Sequence, residues 1–353
     1  MCKQSSTGYR DKARRRQTDF KRGYSGLSGE ARNDGFFNGK QYSFVLPERC
    51  ASENLYEGIR DDVLRYFREF RIKFWGGKDR TPSNHMCSSQ VACLNLLFPS
   101  ALDKDFARDV VGQLDSEVET VIPLENGQYI AFEWRDENNL LKEPGFNPNR
   151  LRGQLSTSVD AAIYYSTTAG KRNLLLIEWK YTESKSTKDE RISSRETDKR
   201  SIYERFFFHD DSPFIDEVTC MPGSEDAAFY DSFFLGEGYQ LLRLQLLANA
   251  IQKRGEFSGM PVDHVTMVFA TPKCNSQVRS LPFSDGSSPR KALARWGSSW
   301  DVVWPQLLRD PCTFMSVSWN EILGNVRMEK HPKWRHWADY VADRYGVDFC
   351  PQL

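Results

Sequence analysis

The sequence predicts an α/β protein built around one central mixed sheet with helices on both faces. Its 353 residues are enough for a large domain with a real core, and 39% hydrophobic and 13% aromatic content is typical of a globular protein. Between residues 86 and 270 the patterns run helix, three strands, helix, strand. Short turns favour antiparallel neighbours and a helical crossover gives a parallel one, so the sheet should be mixed.

The first predicted elements lie on the N-terminal side of this pattern. Residues 56–75 place apolar side chains at helical spacing and end at Gly76. Residues 86–98 form a second predicted helix, which we expect Pro99 to stop. Residues 128–134 alternate as in a strand.

The later elements complete the sheet. Residues 158–165 and 173–181 read as two strands joined by a turn in which Gly170 can take a positive φ. Residues 182–235 are charged and irregular and are interpreted as an insertion. The remaining predicted elements are a helix at 237–254 ended by Gly255, a strand at 264–270, helical pieces at 289–309, and a strand at 312–319 followed by a helix.

Charge is balanced overall but uneven along the chain. The 48 Lys and Arg residues match 48 Asp and Glu residues, which argues mildly against a dedicated nucleic-acid-binding protein. Residues 1–40, however, hold ten basic against four acidic residues. We therefore expect a basic, flexible N-terminal segment at 1–55, followed by one domain at 56–353. The segment can contact phosphate backbones or can be a solvated tail.

Several classes of protein are disfavoured by what the sequence lacks. The eight cysteines are scattered, with no CxxC pair and no zinc-ligand spacing. No Walker A or GxGxxG pattern supports the use of ATP or NAD. No apolar run approaches the roughly 20 residues of a membrane helix, and the N-terminus has no signal-peptide pattern. We expect a soluble, cytoplasmic protein without a membrane partner.

Charged residues interrupt the predicted strand pair where a buried strand should stay apolar. Asp160 lies inside the first strand, and Glu178 and Lys180 follow the apolar run that ends at Ile177. Glu178 and Lys180 share one face of the strand, and Asp160 joins them if the hairpin register permits. Buried charges are costly unless they are paired or bind metal. The group is therefore either a Mg²⁺ site with a lysine beside it or an ordinary ion pair at a strand end.

The order of elements and the D…ExK spacing resemble the PD-(D/E)XK nuclease superfamily, also called restriction-endonuclease-like. "SVD" and "IEWK" occupy the second and third strands of its αβββαβ core. The wording "SSQVACLNLLFP", "TSVDAAI", "LLLIEWKYTES" and "YQLLRLQLL" is similar to a bacterial family described as restriction endonucleases. The resemblance covers roughly residues 83–325.

The resemblance implies a metal-dependent endonuclease that hydrolyses phosphodiester bonds in DNA and leaves a 5′-phosphate and a 3′-hydroxyl. Asp160 and Glu178 would hold Mg²⁺, for which Mn²⁺ can substitute, and Lys180 would be the catalytic lysine. The main-chain carbonyl of Trp179 can complete the metal shell, while its side chain should face the core. Many members of the superfamily are homodimers, so the resemblance also allows for a homodimer here.

One departure from the superfamily pattern concerns the first core helix, which often carries a glutamate. Helix 86–98 has none and offers Gln90 in the nearest place, while its Ser88 and Ser89 are equally explained by helix capping. Glu133 is a second candidate for the missing acid, unless it is a solvated strand charge. Three further residues are candidates to support the site, unless they are ordinary surface residues: Glu183, Gln240 and Arg243.

Two other functions compete with the nuclease. A catalytically silent nucleic-acid-binding or assembly protein would keep the fold for its surface, and a structural ion pair would place the function elsewhere. The insertion can also contact DNA through its basic residues Lys185, Lys188, Arg191, Arg195, Lys199 and Arg200.

Overall fold

The computed structural model describes residues 8–78, 80–154, 156–184, 186, 188–192, 197–219, 229–281 and 292–349. Its helices include α1 (Tyr9–Gly23), α2 (Arg60–Glu69), α3 (Ser89–Leu102), α4 (Lys104–Val111), α5 (Arg200–Phe207), α6 (Asp216–Thr219), α7 (Gly238–Arg254), α8 (Ser276–Arg279), α9 (Trp300–Gln306), α10 (Trp319–Gly324) and α11 (Arg335–Tyr345). Its strands include β1 (Gly35–Phe37), β2 (Lys40–Tyr42), β3 (Val118–Ile122), β4 (Ala131–Arg135), β5 (Ser158–Thr167), β6 (Arg172–Trp179), β7 (Glu256–Phe257), β8 (Met260–Pro261), β9 (His264–Thr271) and β10 (Phe314–Ser318).

The central sheet has six strands. Five of them lie in the order β10–β9–β6–β5–β3, and the sixth, β4, also pairs with β5. The pairs β3–β5, β4–β5 and β5–β6 are antiparallel, whereas β6–β9 and β9–β10 are parallel. Helix α7 makes the crossover from β6 to β9, as a parallel pair requires. The predicted α/β class and mixed sheet are confirmed. Strand β3 was not predicted from the sequence; it pairs with the C-terminal part of β5, whereas the predicted β4 pairs with the N-terminal part.

Helices cover both faces of the sheet and enclose two apolar cores. Side chains from α1, α2, α3, α4, α10 and α11 pack on one face, together with Ile177, Trp179 and Tyr181. Side chains from α5, α6, α7 and α9 pack on the other face, together with Leu174 and Leu176. The alternation predicted for residues 174–181 is therefore confirmed, and Glu178 and Lys180 belong to the face that α7 covers.

Helix α3 runs past Pro99, where the sequence analysis expected it to stop. A proline inside a helix leaves the carbonyl four residues earlier without its usual donor. Here that carbonyl belongs to Asn95, and it accepts a hydrogen bond of 2.7 Å from the Trp337 indole. The partner comes from α11, which is remote in sequence, so the local pattern could not show that the helix continues.

The N-terminal segment is folded over the part that the structure describes, so the prediction of a flexible tail at 1–55 is wrong there. Helix α1 packs along α11, and its Gln17 and Lys21 are fully buried. The Lys21 ammonium donates to the carbonyls of Asn33 and Val45, each at 3.0 Å. Part of the buried surface of α1 is polar, because side chains such as Gln17 and Lys21 bond to distant elements. A search for apolar periodicity therefore does not recognise α1 as a packed helix.

Substituting Gln17 with alanine should lower the free energy of unfolding by about 1–3 kcal/mol. The Gln17 amide donates to the Tyr181 hydroxyl at 2.8 Å and accepts from Arg344 Nε at 3.0 Å, so the substitution leaves both buried groups without a partner. Urea unfolding followed by tryptophan fluorescence measures the change. Arg15→Ala, on the exposed face of the same helix, should stay within about 0.5 kcal/mol of wild type. Equal stability of all three proteins would show that α1 does not belong to the folded core.

The insertion at 182–235 also contributes side chains to the core in the part that the structure describes. Tyr203, Phe207, Phe214 and Phe233 are buried in the core beneath α7. Deleting this region would therefore remove core side chains along with any DNA contact.

None of the described helices is long and apolar enough to cross a membrane.

Candidate active site

Three carboxylates lie at adjoining positions on three neighbouring strands. Ala161 pairs with Ile177, and this register extended by one residue sets Asp160 opposite Glu178. On the other side of β5, Phe132 pairs with Ala161 and Trp134 with Val159, so the intervening Glu133 stands opposite Asp160. Directly opposed residues of antiparallel strands are close neighbours. The register thus brings Asp160 and Glu178 together, as the sequence analysis required.

Lys180 is held at the end of β6 by groups from two elements. Its Nζ lies 2.9 Å from Glu178 Oε1 and 2.9 Å from Glu237 Oε2, and it donates to the Gln240 side-chain carbonyl. The residue is only 6% exposed and Glu178 only 4%. Burial lowers the pKa of Lys180, but the carboxylates of Glu178 and Glu237 outweigh burial and hold the pKa well above its usual value. The side chain is therefore an ammonium, able to donate but not to accept a proton.

Asp160 carries a carboxyl that its surroundings disfavour as an anion. Its Oδ2 accepts a hydrogen bond of 2.7 Å from the main-chain N–H of Trp179. Burial of the carboxyl, together with the negative charges of Glu178 and Glu133, raises the pKa of Asp160 well above its usual range. The residue as a whole is half-buried.

Glu133 occupies an unusual backbone position in the middle of β4. Its φ is +47°, a left-handed value that is uncommon for a residue other than glycine. Such backbone strain persists only where the surrounding structure enforces it, often at functional sites. The side chain is buried, and its Oε1 accepts a hydrogen bond of 2.7 Å from the Gln90 amide. Gln90 also bonds to the main chain of Lys73 and Trp75, so helix α3 fixes the Glu133 carboxylate.

The environment of Glu133 tunes its ionisation. Burial raises the pKa of Glu133 to about 7, although hydrogen bonds from Gln90 and the Trp75 side chain partly offset the effect and Glu178 adds to it. Gly153 lies against this group, and a Cβ there would come within 3.1 Å of both Glu133 Oε2 and the Trp75 ring. With φ at +79°, this position favours glycine for its backbone as well as for the close approach.

Glu183 lies beside the site but is engaged with the start of α3. It accepts from the main-chain N–H of Tyr181 at 2.7 Å and from the Ser89 hydroxyl. The Ser88 hydroxyl caps α3 by accepting from Val91 N. Both serines therefore have the capping and anchoring roles that the sequence left open, and Glu183 anchors the chain as it leaves β6.

Arg243 reaches toward the site from α7, one turn after Gln240. Its guanidinium lies over the Tyr239 ring, 4.7 Å from the centroid, and its Nε has no hydrogen-bond partner within the described part of the chain. Burial lowers the pKa of Arg243, but Tyr239, Tyr203 and Glu143 outweigh burial and the pKa is raised. A buried guanidinium with a free N–H can accept a phosphate oxygen as partner.

Trp179 divides its roles between side chain and main chain. Its ring stacks on Trp319 at 5.5 Å in the apolar core, which confirms the predicted core-facing side chain. Its main-chain N–H donates to the Asp160 carboxyl, so the main chain of Trp179 on β6 lies directly beside the acid on β5.

Glu237 is the residue that the sequence analysis did not single out. It stands just before α7, is buried, and contributes the second carboxylate to Lys180. Burial raises the pKa of Glu237, and the Lys180 ammonium partly opposes that rise. The sequence does contain a signal for Glu237: it is the acid at the start of the predicted helix 237–254, the helix that also carries the candidates Gln240 and Arg243.

The donor set fits a divalent cation held by two carboxylates. Acidic side chains outnumber basic ones around Lys180. The charges that affect one another's pKa there are five carboxylates and two cations: Glu133, Asp160, Glu178, Glu183, Glu237, Lys180 and Arg243. Within the described ranges, no three Asp, Glu, His or Cys side chains are placed to share one metal ion. Mg²⁺ commonly binds through one or two carboxylates plus water and phosphate oxygens, and Asp160 with Glu178 meets that requirement.

Four of the five described Lys and Arg residues of the insertion pair with neighbouring acids, and the fifth, Arg205, donates to the main-chain carbonyls of Leu141 and Lys142. Lys188 and Lys199 pair with Glu190, and Arg191 and Arg200 pair with Asp231. Lys185 and Arg195 lie outside the described residues. The insertion therefore presents little uncompensated positive charge in the part that the structure describes.

Comparison with known families agrees with this fold. A family model described as "Restriction Endonuclease associating with ARP" matches residues 14–346, almost the whole chain and including most of α1. No curated protein and no solved structure matches the chain significantly. The chain belongs to this restriction-endonuclease-like family, Restriction Endonuclease associating with ARP.

Proposed function

We propose that this protein is a metal-dependent endodeoxyribonuclease that hydrolyses phosphodiester bonds in DNA. One observation carries the proposal: Asp160 and Glu178 stand opposite each other on β5 and β6, with the Lys180 ammonium bound to Glu178. A pair of carboxylates next to a fixed ammonium suits a reaction in which negative charge grows on a phosphate.

The metal expected at this site is Mg²⁺, with Mn²⁺ as a substitute. Asp160 and Glu178 would hold it, together with the main-chain carbonyl of Trp179. When bound, it would supply charge neutralisation on the phosphodiester and a lowered pKa for water. Its positive charge would also relieve the repulsion that raises the pKa of Asp160.

Lys180 acts in this proposal as a charge-stabilising donor. Its raised pKa keeps the ammonium charged, so it would donate a hydrogen bond to a phosphate oxygen rather than remove a proton from water. Glu237 and Gln240 hold the ammonium in place, which makes them positioning residues.

Two further groups would act on substrate or solvent. Glu133 has a pKa near neutrality and is fixed by Gln90, which suits a carboxylate that accepts a proton from water near pH 7. Arg243 has a free N–H to offer a phosphate oxygen. Glu183 would keep the end of β6 in place through Tyr181.

The direct test is cleavage of supercoiled plasmid by the purified protein with Mg²⁺ or Mn²⁺, with and without EDTA. The proposal expects nicked or linear product that depends on metal and that disappears in Asp160→Asn. Asp263→Asn, an exposed acid at the far end of the sheet, is the matched control and should cut like wild type.

The alternative is a catalytically silent protein that binds nucleic acid on the same fold. It predicts DNA binding without metal-dependent turnover on plasmid, linear and single-stranded substrates. Cleavage that survives both EDTA and Asp160→Asn would contradict the nuclease proposal, because the carboxylates would then not be needed.

A further inference from the structure

Helix α1 carries a dense group of cations on its solvent-facing side. Its fifteen residues include seven Lys and Arg against two acids, Asp11 and Asp19. Lys21 is buried against main-chain carbonyls, and Arg14 pairs with Asp11. Five exposed cations of α1 make no ion pair within the described part of the chain. One of them, Arg10, donates to the Thr182 carbonyl, and the other four are Lys12, Arg15, Arg16 and Arg22. We call these four the α1 basic face.

This face differs from the other basic region of the chain. Four of the five described Lys and Arg residues of the insertion pair with an acid, so most of their field is cancelled, and Arg205 is the exception. The chain as a whole has no net charge. An attraction to a polyanion therefore needs a local surface with unpaired cations. Asp19, Asp343 and Asp348 line the same groove as the α1 basic face, but none of these described acids forms an ion pair with its cations.

The start of α1 is in direct contact with the strand end that carries the site. Arg10 Nε donates to the Thr182 carbonyl at 3.1 Å, two residues after Lys180. The Tyr9 ring meets the Tyr181 ring edge-on, with centroids 6.4 Å apart. Helix α1 thus begins at the strand end that carries the site and packs on the face of the sheet opposite to Glu178 and Lys180.

We propose that the α1 basic face binds the phosphate backbone of duplex DNA beside the site of cleavage. The inference rests on the proposed function and adds a substrate-binding surface to it. Charge complementarity identifies the occupant, since duplex DNA offers about one negative charge per 1.7 Å of its axis. A helix of this length spans about 22 Å, enough to follow roughly six base pairs.

The contact would be to phosphates and independent of base sequence. Long, exposed Lys and Arg side chains on one helix face give charge without a fixed geometry for reading base edges. Binding should therefore be similar for duplexes of different sequence and should weaken steeply with salt.

The test measures DNA binding in an Asp160→Asn background with EDTA, so that cleavage cannot interfere. A labelled duplex of about 30 base pairs is titrated by fluorescence anisotropy between about 50 and 200 mM salt. The test variant adds Lys12→Ala, Arg15→Ala and Arg16→Ala. The matched control instead adds Lys104→Ala, Lys330→Ala and Arg335→Ala, three exposed cations near α4 and the start of α11.

The expected result is that the α1 variant binds at least about tenfold more weakly and that its slope of log K against log salt is shallower by about 2–3. The control variant should keep the affinity and slope of the background protein. Thermal unfolding confirms that both variants are folded. An α1 variant with unchanged affinity and slope, or an equal loss in the control, would overturn the inference.

The outcomes also separate this inference from the proposed function. If wild type cleaves DNA and the α1 variant binds normally, only the assignment of the α1 basic face is wrong and the proposed function stands. If the folded background protein shows no affinity for DNA and wild type shows no cleavage, both proposals fail.

Discussion

Asp160→Asn is expected to abolish DNA cleavage and, in the absence of metal, to raise the free energy of unfolding. The loss of cleavage should be at least about 10³-fold, on the order found when a group that organises the charge of the transition state is removed. The gain in stability follows from the raised pKa of Asp160, because its anion is opposed by burial and by Glu178 and Glu133. An amide of the same shape can still accept from Trp179 N–H and carries no charge.

The pH dependence of this gain has a definite sign. A carboxyl whose pKa is higher in the folded than in the unfolded chain binds its proton more tightly when folded. The stability of wild type should therefore fall as pH rises from the unfolded pKa of about 3.9 toward the folded value. Asp160→Asn lacks this fall, so the difference between the two proteins should be small near pH 4 and larger at neutral pH.

Denaturant unfolding in EDTA across this pH range measures the difference, and repeating it with Mg²⁺ adds a test of the metal. Mg²⁺ should stabilise wild type and leave Asp160→Asn unchanged, because a ligand stabilises only the fold that binds it. The control Asp263→Asn should lose rather than gain stability, since the Arg172 N–H and Lys171 lower the pKa of Asp263. A destabilised Asp160→Asn would favour the structural ion pair.

Lys180 is a less informative target than Asp160. Its ammonium is buried between Glu178 and Glu237, so Lys180→Ala would leave two buried carboxylates without their cation. Breaking such a group typically costs about 3–5 kcal/mol whether the site is catalytic or structural. Stability of this variant therefore does not distinguish the two interpretations.

Glu133→Gln is expected to reduce cleavage by about 10²-fold or more, which is typical of losing a positioned proton acceptor. Glutamine keeps an oxygen for the Gln90 amide and removes the negative charge beside Asp160. The substitution should therefore preserve the fold while removing a carboxyl whose pKa burial raises to about 7.

The stability of Glu133→Gln should differ from wild type in a defined pH window. Burial raises the pKa of Glu133 from 4.5 to about 7, so in wild type the free energy of unfolding falls as pH rises between these values. The full fall corresponds to about 3 kcal/mol. The variant should lack that decline and be the more stable protein above pH 7.

The control for Glu133→Gln is Glu119→Gln on β3, an acid of the same sheet away from the site. It should change neither the rate of cleavage nor the pH dependence of stability. If the folded Glu133→Gln variant cleaves DNA at the wild-type rate, then Glu133 takes no part in the reaction and its only role is the structural hydrogen bond to Gln90.

The sequence by itself determined five of the six strands of the central sheet and the charged strand pair. Periodicity at residues 158–181 predicted the hairpin, and Asp160, Glu178 and Lys180 stood out because charges in an apolar strand are costly. The D…ExK spacing then led to a restriction-endonuclease-like fold, which the family match supports. These features are local, since they depend on neighbours along the chain.

Only the tertiary structure decided the partners of those charges and the fate of the N-terminus. The strand register sets Glu133 opposite Asp160, and α7 brings Glu237 to Lys180 across a long stretch of sequence. The Trp337 indole allows α3 to pass Pro99, and Gln17 on α1 satisfies Arg344. In each case a buried polar group is satisfied by a residue far away in the chain, and periodicity carries no information about such pairs.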